Sequence, residues 1–142
     1  MKVQIASDHA GFELKEAIKK EFSNEFEWED HGTHSSDSVD YPDFAHPLAE
    51  AIAQDPAARG ILICGTGNGV AMTANKHAHV RAALCWNAEI AALARQHNNA
   101  NVLVLPARFI DTDTAFALVR TFFSTDFEGG RHERRVQKIN IQ

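Results

Sequence analysis

The chain has 142 residues, of which 44% are apolar and 23% charged, and its formal net charge at pH 7 is -5. This length suits a single hydrophobic core, and the composition is that of a folded protein rather than a disordered one. The negative charge argues against broad binding to nucleic acid or to anionic membranes. We therefore predict one folded domain, residues 1–142, with neither a nucleic-acid nor a membrane partner.

The sequence also predicts a cytoplasmic protein. The apolar run at the N-terminus is too short for a secretory signal, and no segment approaches the roughly 18 apolar residues of a membrane span. Cys64 and Cys85 form neither a CxxC pair nor a disulfide framework. That arrangement is typical of free thiols in a reducing compartment.

Strand and helix patterns alternate from the N-terminus. Residues 2–7 form an apolar run that predicts a strand. Apolar residues then recur at helical spacing behind Gly11, namely Leu14, Ala17, Ile18 and Phe22. Residues 26–30 alternate between apolar and polar side chains, which is typical of a half-exposed edge strand.

A second helix is predicted after a polar loop over residues 31–43, and it carries Leu48, Ala51 and Ile52. We expect Pro47 in the first turn of this helix, because a proline in the interior of a helix costs about 3 kcal/mol.

Three later apolar runs, residues 60–64, 80–85 and 101–105, are nearly continuous, as parallel strands buried on both faces are. A helix is expected after each run, and the last long helix begins near Asp111 or Thr112 as its N-cap. A basic tail, residues 128–142, is predicted to be helical. Five strand–helix units in succession predict an α/β fold, with helices on both faces of a five-stranded parallel sheet.

The positions of the polar segments relative to these strands indicate where a site would form. Open parallel sheets bind ligands beyond the carboxyl ends of their strands. The segments SDHAG, CGTGNG, CWN and PAR follow the first, third, fourth and fifth strands. RQHNNAN, residues 95–101, instead precedes the fifth strand, and it lies at the opposite pole if its helix runs antiparallel to that strand. It could then reach the pocket only from a partner chain.

The glycine loop that follows Cys64 is the most informative motif. Its spacing, GxGxG, fits neither the dinucleotide fingerprint nor the Walker loop. The sixth position after the cysteine is Val70, where a phosphatase loop would need arginine. Backbone amides and a helix N-terminus at such a loop favour a thiolate, which can remove a proton next to a carbonyl while the same amides stabilise the oxyanion. Alternatively Cys64 is only a small buried residue, which is our interpretation of Cys85.

Other polar residues have both a functional and a structural interpretation. Asp8 and His9 can bind a sugar hydroxyl and a phosphate, or they can be structural residues at a strand end. His97 and Asn98 can be a proton donor and its partner, or they can cap a helix.

The basic tail contains four residues that can clamp a phosphate or form a solvated face, Arg131, His132, Arg134 and Arg135. If the tail is helical, Arg131 and Arg135 share one face. We predict no metal site. The remaining histidines have no carboxylate or thiol at a spacing typical of metal ligands; they are His31, His34, His46, His77 and His79.

Five segments occur in order from the first strand to the tail: SDHAGFELK, DYPDFA, GILICGTGNGVAMTANK, RQHNNANVLVL and EGGRHERRV. Together they resemble the ribose-5-phosphate isomerase B family, which also includes galactose- and allose-6-phosphate isomerases. The resemblance covers nearly the whole chain. It implies a Rossmann-like α/β/α sandwich that needs no cofactor and no metal. It also implies a homodimer, or a dimer of dimers, in which two subunits build each site.

The resemblance also implies roles for single residues. Cys64 matches the base that moves a proton between two sugar carbons through a cis-enediol, with the Thr66 hydroxyl close to that proton. His97 matches the acid that opens the sugar ring, and Asn98 matches a partner of the substrate. An anion hole is matched by Gly65, Gly67, Asn68 and Gly69. Contacts to the substrate are matched by Asp8, His9 and Tyr41. A phosphate clamp is matched by Arg108, Arg131 and Arg135.

Three residues depart from the pattern of the family. Asn68 stands where many cysteine-type members carry a small or apolar residue, and it resembles a branch whose base is a glutamate just after the loop. That later position is Val70 here, so Cys64 keeps the role of base. Pro106 and Trp86 leave the length of the substrate and the pose of Arg108 open.

We therefore expect an aldose–ketose isomerase of the pentose phosphate pathway that interconverts ribose 5-phosphate and ribulose 5-phosphate. One alternative is an isomerase of a 6-phosphohexose, allose or galactose 6-phosphate. Another is a module that binds sugar phosphates without catalysis, since a fold does not fix a function. Such a module would use the glycines and arginines but not the pair of Cys64 and His97.

Overall fold

Five parallel strands form one sheet in the computed structural model, which describes residues 1–141. In chain order the strands are β1 (Lys2–Ser7), β2 (Glu27–Asp30), β3 (Gly60–Cys64), β4 (Ala82–Leu84) and β5 (Val102–Pro106). Their order across the sheet is β2-β1-β3-β5-β4. This confirms the predicted five-stranded parallel sheet.

Among residues 1–141, six α-helices connect and flank the strands: α1 (Phe12–Glu21), α2 (Pro42–Gln54), α3 (Asn68–Ala74), α4 (Ala88–Asn98), α5 (Thr112–Ser124) and α6 (Arg131–Gln137). A single 3₁₀ turn, His9–Gly11, precedes α1. The predicted cap of α5 is confirmed, because Asp111 accepts a hydrogen bond from the Thr114 amide at 2.7 Å. The predicted basic tail contains α6, and Gln142 lies outside the described residues.

Each face of the sheet carries its own hydrophobic core. Ile5, Ile63 and Leu105 pack with α1, α4 and α5 on one face. Leu62 and Val104 pack with α2 and α3 on the other. These two layers of helices complete the predicted three-layer α/β/α sandwich. Among residues 1–141, no helix is both long enough and apolar enough to cross a membrane.

The order of the strands places a crevice between β1 and β3. The chain passes from β1 to β2 on one side and then returns to β3 on the other side. Where the direction of connection reverses in this way, the two loops diverge and leave room for a ligand at the carboxyl ends. Asp8 follows β1 at this point, and Cys64 ends β3.

The prediction for Pro47 was wrong, because Pro47 lies inside α2. The helix begins earlier, with Pro42 at its first position, where the missing amide costs no helical hydrogen bond. Pro47 has no amide for the carbonyl of Asp43, and both residues are exposed, so water can bind that carbonyl. The buried side chains of Leu48 and Ile52 hold the helix in place despite the lost bond.

The prediction that residues 80–85 form a strand buried on both faces was also wrong. Only Ala82–Leu84 is a strand, and its three residues are half-buried. β5 lies between β3 and β4, so β4 pairs with one neighbour and forms an edge. Val80 and Cys85 are buried but lie just outside the strand.

A buried ion pair connects α1 to the end of β2. Lys15 is fully buried, and its Nζ lies 2.5 Å from Oδ2 of Asp30. Asp30 also accepts hydrogen bonds from Lys19 and from the Gly32 amide, each at 2.8 Å. Burial alone would raise the pKa of the Asp30 carboxyl, but the hydrogen bonds from Lys15, Lys19 and Gly32 outweigh it and lower this pKa below its ordinary value.

This ion pair supports the loop beside the crevice. Asp30 holds the Gly32 amide, and the Gly32 carbonyl accepts a hydrogen bond from the Ser7 amide at 2.7 Å. The Thr33 amide in turn donates to the Ser7 carbonyl at 2.8 Å. The backbone just before Asp8 is therefore held on this side by the loop that follows β2.

We expect Lys15→Met to lower the free energy of unfolding by about 3 kcal/mol at pH 7, because it removes one partner of a buried ion pair. Lys20→Met is the matched control: Lys20 is exposed on the same helix, so its change should stay within about 0.5 kcal/mol. Urea unfolding followed by circular dichroism measures both.

The effect should depend on pH in a defined direction. The folded-state pKa of Asp30 is lowered, so its stabilisation is present above the ordinary carboxyl range, near pH 4, and is lost as pH falls through the folded-state pKa. The wild-type and Lys15→Met proteins should therefore converge in stability as the pH is lowered. A difference that stays constant, or is missing at pH 7, would contradict this account.

Candidate active site

Cys64 lies at the carboxyl end of the central strand, held by hydrogen bonds on both sides. The Asp8 amide donates to the carbonyl of Ile63, the residue before Cys64, at 3.2 Å. On the other side the Ala107 amide donates to the Cys64 carbonyl at 2.9 Å. The side chain is 5% exposed and packs against the α2–α3 core. These bonds bring the ends of β1, β3 and β5 together around the thiol.

The glycine loop lies directly beyond this thiol. Gly67 has a φ of +78°, a conformation that is strained for any residue with a side chain. The Asn68 amide donates to Oγ1 of Thr66 at 3.2 Å, which forms a local turn at the start of α3. The first amides of a helix have no partner within it. The loop therefore presents N–H groups to an anion.

Two neighbours close around the loop. The guanidinium of Arg108 lies against Gly65: a Cβ at that glycine would stand 3.1 Å from its Nη1. The Arg108 amide also donates to the Gly65 carbonyl at 3.0 Å. The Tyr41 ring lies over Gly69, where a Cβ would stand 2.6 Å from ring atoms. Only glycine at position 69 therefore allows this position of Tyr41.

Asp8 and His9 follow β1 at the same edge. Asp8 is 7% exposed, and its Oδ1 accepts a hydrogen bond from the Gly11 amide at 3.1 Å, so part of this carboxylate caps the 3₁₀ turn. The Val39 amide donates to Nδ1 of His9 at 3.2 Å. Because Nδ1 accepts this bond, the ring proton is on Nε2, which is then a donor.

The structure divides the predicted site residues into two groups. The first lies at the carboxyl ends of the strands and contains Asp8, His9, Tyr41, Cys64, Gly65, Thr66, Gly67, Asn68, Gly69 and Arg108. The second contains His97 and Asn98, at the end of α4, together with Arg131 and Arg135 on α6.

The second group lies at the amino ends of the strands. The chain continues from α4 through Asn101, whose carbonyl accepts a hydrogen bond from Gly60, the first residue of β3. Asn101 itself donates to the carbonyl of Arg81, just before β4. This confirms the prediction that RQHNNAN lies at the opposite pole of its own chain from Cys64.

His97 stacks on His132 in this second group. Their ring centroids are 4.3 Å apart and their planes differ by 13°. Oε1 of Glu128 lies 3.7 Å from Nε2 of His97 and 3.6 Å from Nε2 of His132. Burial lowers the pKa of His132, and the nearby His97 and Arg131 act in the same direction.

Potential ligand atoms of His97, Glu128 and His132 lie within 4.8 Å of one another. A metal ion binds imidazole in the plane of the ring, and two stacked parallel rings cannot both direct a lone pair at one ion. The absence of a metal site stays a prediction.

The sequence did not predict a role for Glu128 or the contact between His46 and His77. Glu128 lies four residues before His132, a spacing that brings side chains together on a helical turn and could have indicated the contact. Nδ1 of His46 lies 2.7 Å from Nε2 of His77. No local pattern could have shown that pair, because its members are 31 residues apart.

Comparison with known proteins gives one family and many relatives. The model of the ribose/galactose isomerase family matches residues 3–139. Ribose-5-phosphate isomerase B of Escherichia coli is 41% identical over 139 residues, which cover 97% of this chain and 93% of that protein.

Solved structures give the same result. A ribose 5-phosphate isomerase from Thermotoga maritima is 55% identical, with a TM-score of 0.94, and the match covers 97% of this chain and 96% of that one. A ribose-5-phosphate isomerase B from Mycoplasma genitalium with bound ribulose-5-phosphate is 45% identical, with a TM-score of 0.93 and coverage of 97% and 93%.

We expect iodoacetamide at pH 8 to alkylate Cys64 and to spare Cys85 in the folded protein. Cys85 is fully buried, and burial raises its pKa to about 12, so about one thiol in ten thousand is ionised at pH 8. Peptide mass spectrometry locates the adduct, and both thiols should react after unfolding in urea. Equal labelling of the two cysteines in the folded protein, or no labelling of Cys64, would contradict the assignment of Cys64 as the reactive thiol.

Proposed function

The chain belongs to the ribose/galactose isomerase family, and we propose that it is an aldose–ketose isomerase that interconverts ribose 5-phosphate and ribulose 5-phosphate. The observation that carries the proposal is a thiol beside a loop of backbone N–H groups at the crevice between β1 and β3. Moving a proton between adjacent carbons needs a base and a donor set for the oxyanion. The relative from Mycoplasma genitalium was solved with ribulose 5-phosphate, the ketose of this pair.

Cys64 is the base in the proposed reaction. Its thiolate removes the proton from C2 of the open-chain aldose, and the electrons of that C–H bond form the C1–C2 double bond. The carbonyl oxygen on C1 becomes an oxyanion, which the amides of the loop at residues 65–69 stabilise. The thiol then returns its proton to C1, while the hydroxyl proton on O2 moves to O1 and the new carbonyl forms at C2. The Thr66 hydroxyl is suited to assist the transfer between O2 and O1.

His97 is the acid that opens the sugar ring before this step. It gives a proton to the ring oxygen as the bond from that oxygen to C1 breaks, while the hydroxyl on C1 loses its proton to water, which leaves the aldehyde that Cys64 needs. Asn98 contacts the substrate beside it. Asp8, His9 and Tyr41 hold the sugar at the other side, where His9 donates from Nε2 because its Nδ1 accepts from the Val39 amide.

Three arginines bind the phosphate in this proposal. Their planar guanidinium groups match the oxygens of a phosphate. Arg108 lies against the glycine loop, whereas Arg131 and Arg135 lie one turn apart on α6 at the opposite pole. One chain cannot direct all three at one substrate, and the same holds for Cys64 and His97. We therefore propose a homodimer in which each site takes its loop from one chain and its α4–α6 residues from the other.

A second candidate substrate is a 6-phosphohexose, favoured by the description of the family as ribose/galactose isomerases. Trp86 follows β4 and is 53% exposed, at the carboxyl end of the edge strand. Assays with ribose, allose and galactose phosphates distinguish the two substrates. A protein that binds all three without turnover would instead be a binding module.

We propose that the protein is cytoplasmic, which its two free cysteines support. We propose the pentose phosphate pathway for its reaction.

Cys64→Ser should lower turnover of ribose 5-phosphate by about 100-fold or more, because a hydroxyl is far less acidic than a thiol and general-base catalysis contributes on that scale. The fold should be unchanged by circular dichroism. Cys85→Ala, which changes the other buried thiol, is the matched control and should keep wild-type turnover. Near-normal activity of pure Cys64→Ser protein would refute the proposal that Cys64 is the base.

Mixed dimers test the shared site. Cys64→Ser and His97→Ala chains should each be nearly inactive. After they are refolded together with random pairing, about half of the dimers are mixed, and each mixed dimer has one doubly altered site and one intact site, so about a quarter of wild-type activity should return. If the acid and the base came from one chain, no site would be intact. A mixture that contains heterodimers, shown by mass spectrometry, yet stays inactive would refute the shared site.

A further inference from the structure

Arg95 is a buried arginine that forms no direct ion pair with a carboxylate of the described residues. It lies on α4, two residues before His97, and is 2% exposed. None of the ion pairs among residues 1–141 includes it. Burial lowers the pKa of Arg95 to about 10, the nearby Arg59 and Arg81 act in the same direction, and the carboxylate of Asp126 acts in the opposite direction. A buried charge is costly unless hydrogen bonds satisfy it, so its partners indicate why it is there.

Arg95 donates three hydrogen bonds to uncharged acceptors. Its Nε donates to the Thr125 carbonyl at 3.1 Å. Its Nη1 donates to the Ala100 carbonyl at 2.5 Å and to Oδ1 of Asn99 at 3.0 Å. The guanidinium carbon lies 5.7 Å from the centre of the Phe122 ring. A planar fork with several donors is needed to reach these acceptors together, and lysine does not have one.

The acceptors belong to two segments that are distant in sequence. Asn99 and Ala100 form the turn that ends α4, immediately after His97 and Asn98. Thr125 begins residues 125–130, which we call the strap, and the strap leads directly into α6 with Arg131 and Arg135. Arg95 therefore connects the segment that carries the proposed acid to the segment that carries two proposed phosphate ligands.

The strap is fastened to α4 at a second point. The Glu128 amide donates to the Gln96 carbonyl at 3.1 Å, and the Glu128 carboxylate faces both His97 and His132. Fixing the strap therefore also fixes the ring that stacks on His97. Arg95 does not itself reach the substrate side, because it is buried beneath these groups.

We propose that Arg95 is a positioning residue for the isomerisation. It holds the end of α4 and the strap at one spacing, so that His97 and the arginines of α6 approach the substrate as one rigid unit. This rests on the proposed function, in which His97 opens the ring and Arg131 and Arg135 bind the phosphate. A displacement of about 1 Å in such groups can lower a rate about 100-fold.

The isotope effect on the proton transfer separates this role from a merely structural one. Ribose 5-phosphate is mainly a closed ring and needs the acid before the proton transfer. Ribulose 5-phosphate cannot close a five-membered ring, because its C5 oxygen carries the phosphate. The equilibrium constant fixes the ratio of kcat/KM in the two directions, so kcat/KM must fall by the same factor in both. Loss of the acid's alignment slows ring opening, so the primary isotope effect on kcat with ribose 5-phosphate deuterated at C2 should fall toward 1, whereas looser phosphate binding should raise KM for both substrates.

The experiment compares Arg95→Met, Arg95→Lys and Asn99→Gly with the wild type in both directions. In Arg95→Met, kcat/KM should fall by about 100-fold in both directions, KM should rise for both substrates, and the isotope effect with ribose 5-phosphate deuterated at C2 should fall toward 1. Arg95→Lys should be intermediate. Asn99→Gly removes one acceptor and keeps the left-handed backbone at φ +47°, so its effect should be smaller in the same direction. The last two variants carry the test if Arg95→Met does not fold.

Arg120→Met is the matched control. Arg120 is also an arginine over a phenylalanine ring, 5.3 Å from the centre of Phe22, but it pairs with Glu21 on the surface and should keep wild-type kinetics. If folded Arg95 variants keep the wild-type isotope effect, or lose stability without any change in kinetics, the positioning role is refuted.

Hydrogen exchange tests the same connection without substrate. The amides of the strap, Glu128 above all, should exchange faster in Arg95→Lys and Arg95→Met than in the wild type, and should not change in Arg120→Met. Unchanged protection of the strap would overturn the proposal even if the enzyme is active. If strap protection falls as expected but the wild type turns over no sugar phosphate, the proposed function fails and the connection made by Arg95 stands.

Discussion

The hydrogen-bonded position of β3 between β1 and β5 is the constraint on which the candidate site depends. β3 is parallel to both neighbours, and its ladder continues past the last residue, where Ala107 donates to Cys64 and Asp8 donates to Ile63. The thiol therefore cannot shift along the strand without breaking bonds on two sides. The same bonds deliver the loops after all three strands to one edge. A proton-transfer site needs this rigidity, because the base must stay within a fraction of an ångström of the carbon it serves.

Parallel topology also explains why half of the proposed site lies at the other pole. Each helix returns the chain to the amino ends of the strands before the next strand can begin. α4 therefore ends, with His97 and Asn98, next to the start of β5. α6 packs on α4 at the same pole, where the buried Arg95 and the exposed Glu128 connect α4 to the strap that leads into α6. The proposed acid and two phosphate ligands thus form one preassembled unit, which faces away from its own Cys64 and is suited to complete the site of a second chain.

Elements with a strong local signal were predicted correctly, and those that depend on neighbours were not. β1 and β3 are apolar runs with clear ends in the sequence. Asp111 has a carboxylate, which can accept a hydrogen bond from an amide at the start of a helix. Pro47 was misplaced because the intrinsic cost of an interior proline was outweighed by burial of the apolar face of α2. β4 was predicted to be buried on both faces because its residues are apolar, yet the insertion of β5 beside β3 leaves it at an edge.

The same division separates the parts of the candidate site. The order of residues along the chain was enough to predict the alternating fold, the thiol before its glycine loop and the placement of RQHN at the far pole, because these follow from hydrophobic periodicity and from the direction of successive elements. Contacts across long sequence separations were not predictable. The bond from Arg95 to Thr125, the ion pair of Lys15 with Asp30 and the stack of His97 on His132 each join segments whose approach is set by packing. A buried lysine or arginine looks like a surface residue in the sequence, since its hydrogen-bond partners exist only once the helices have packed on the sheet.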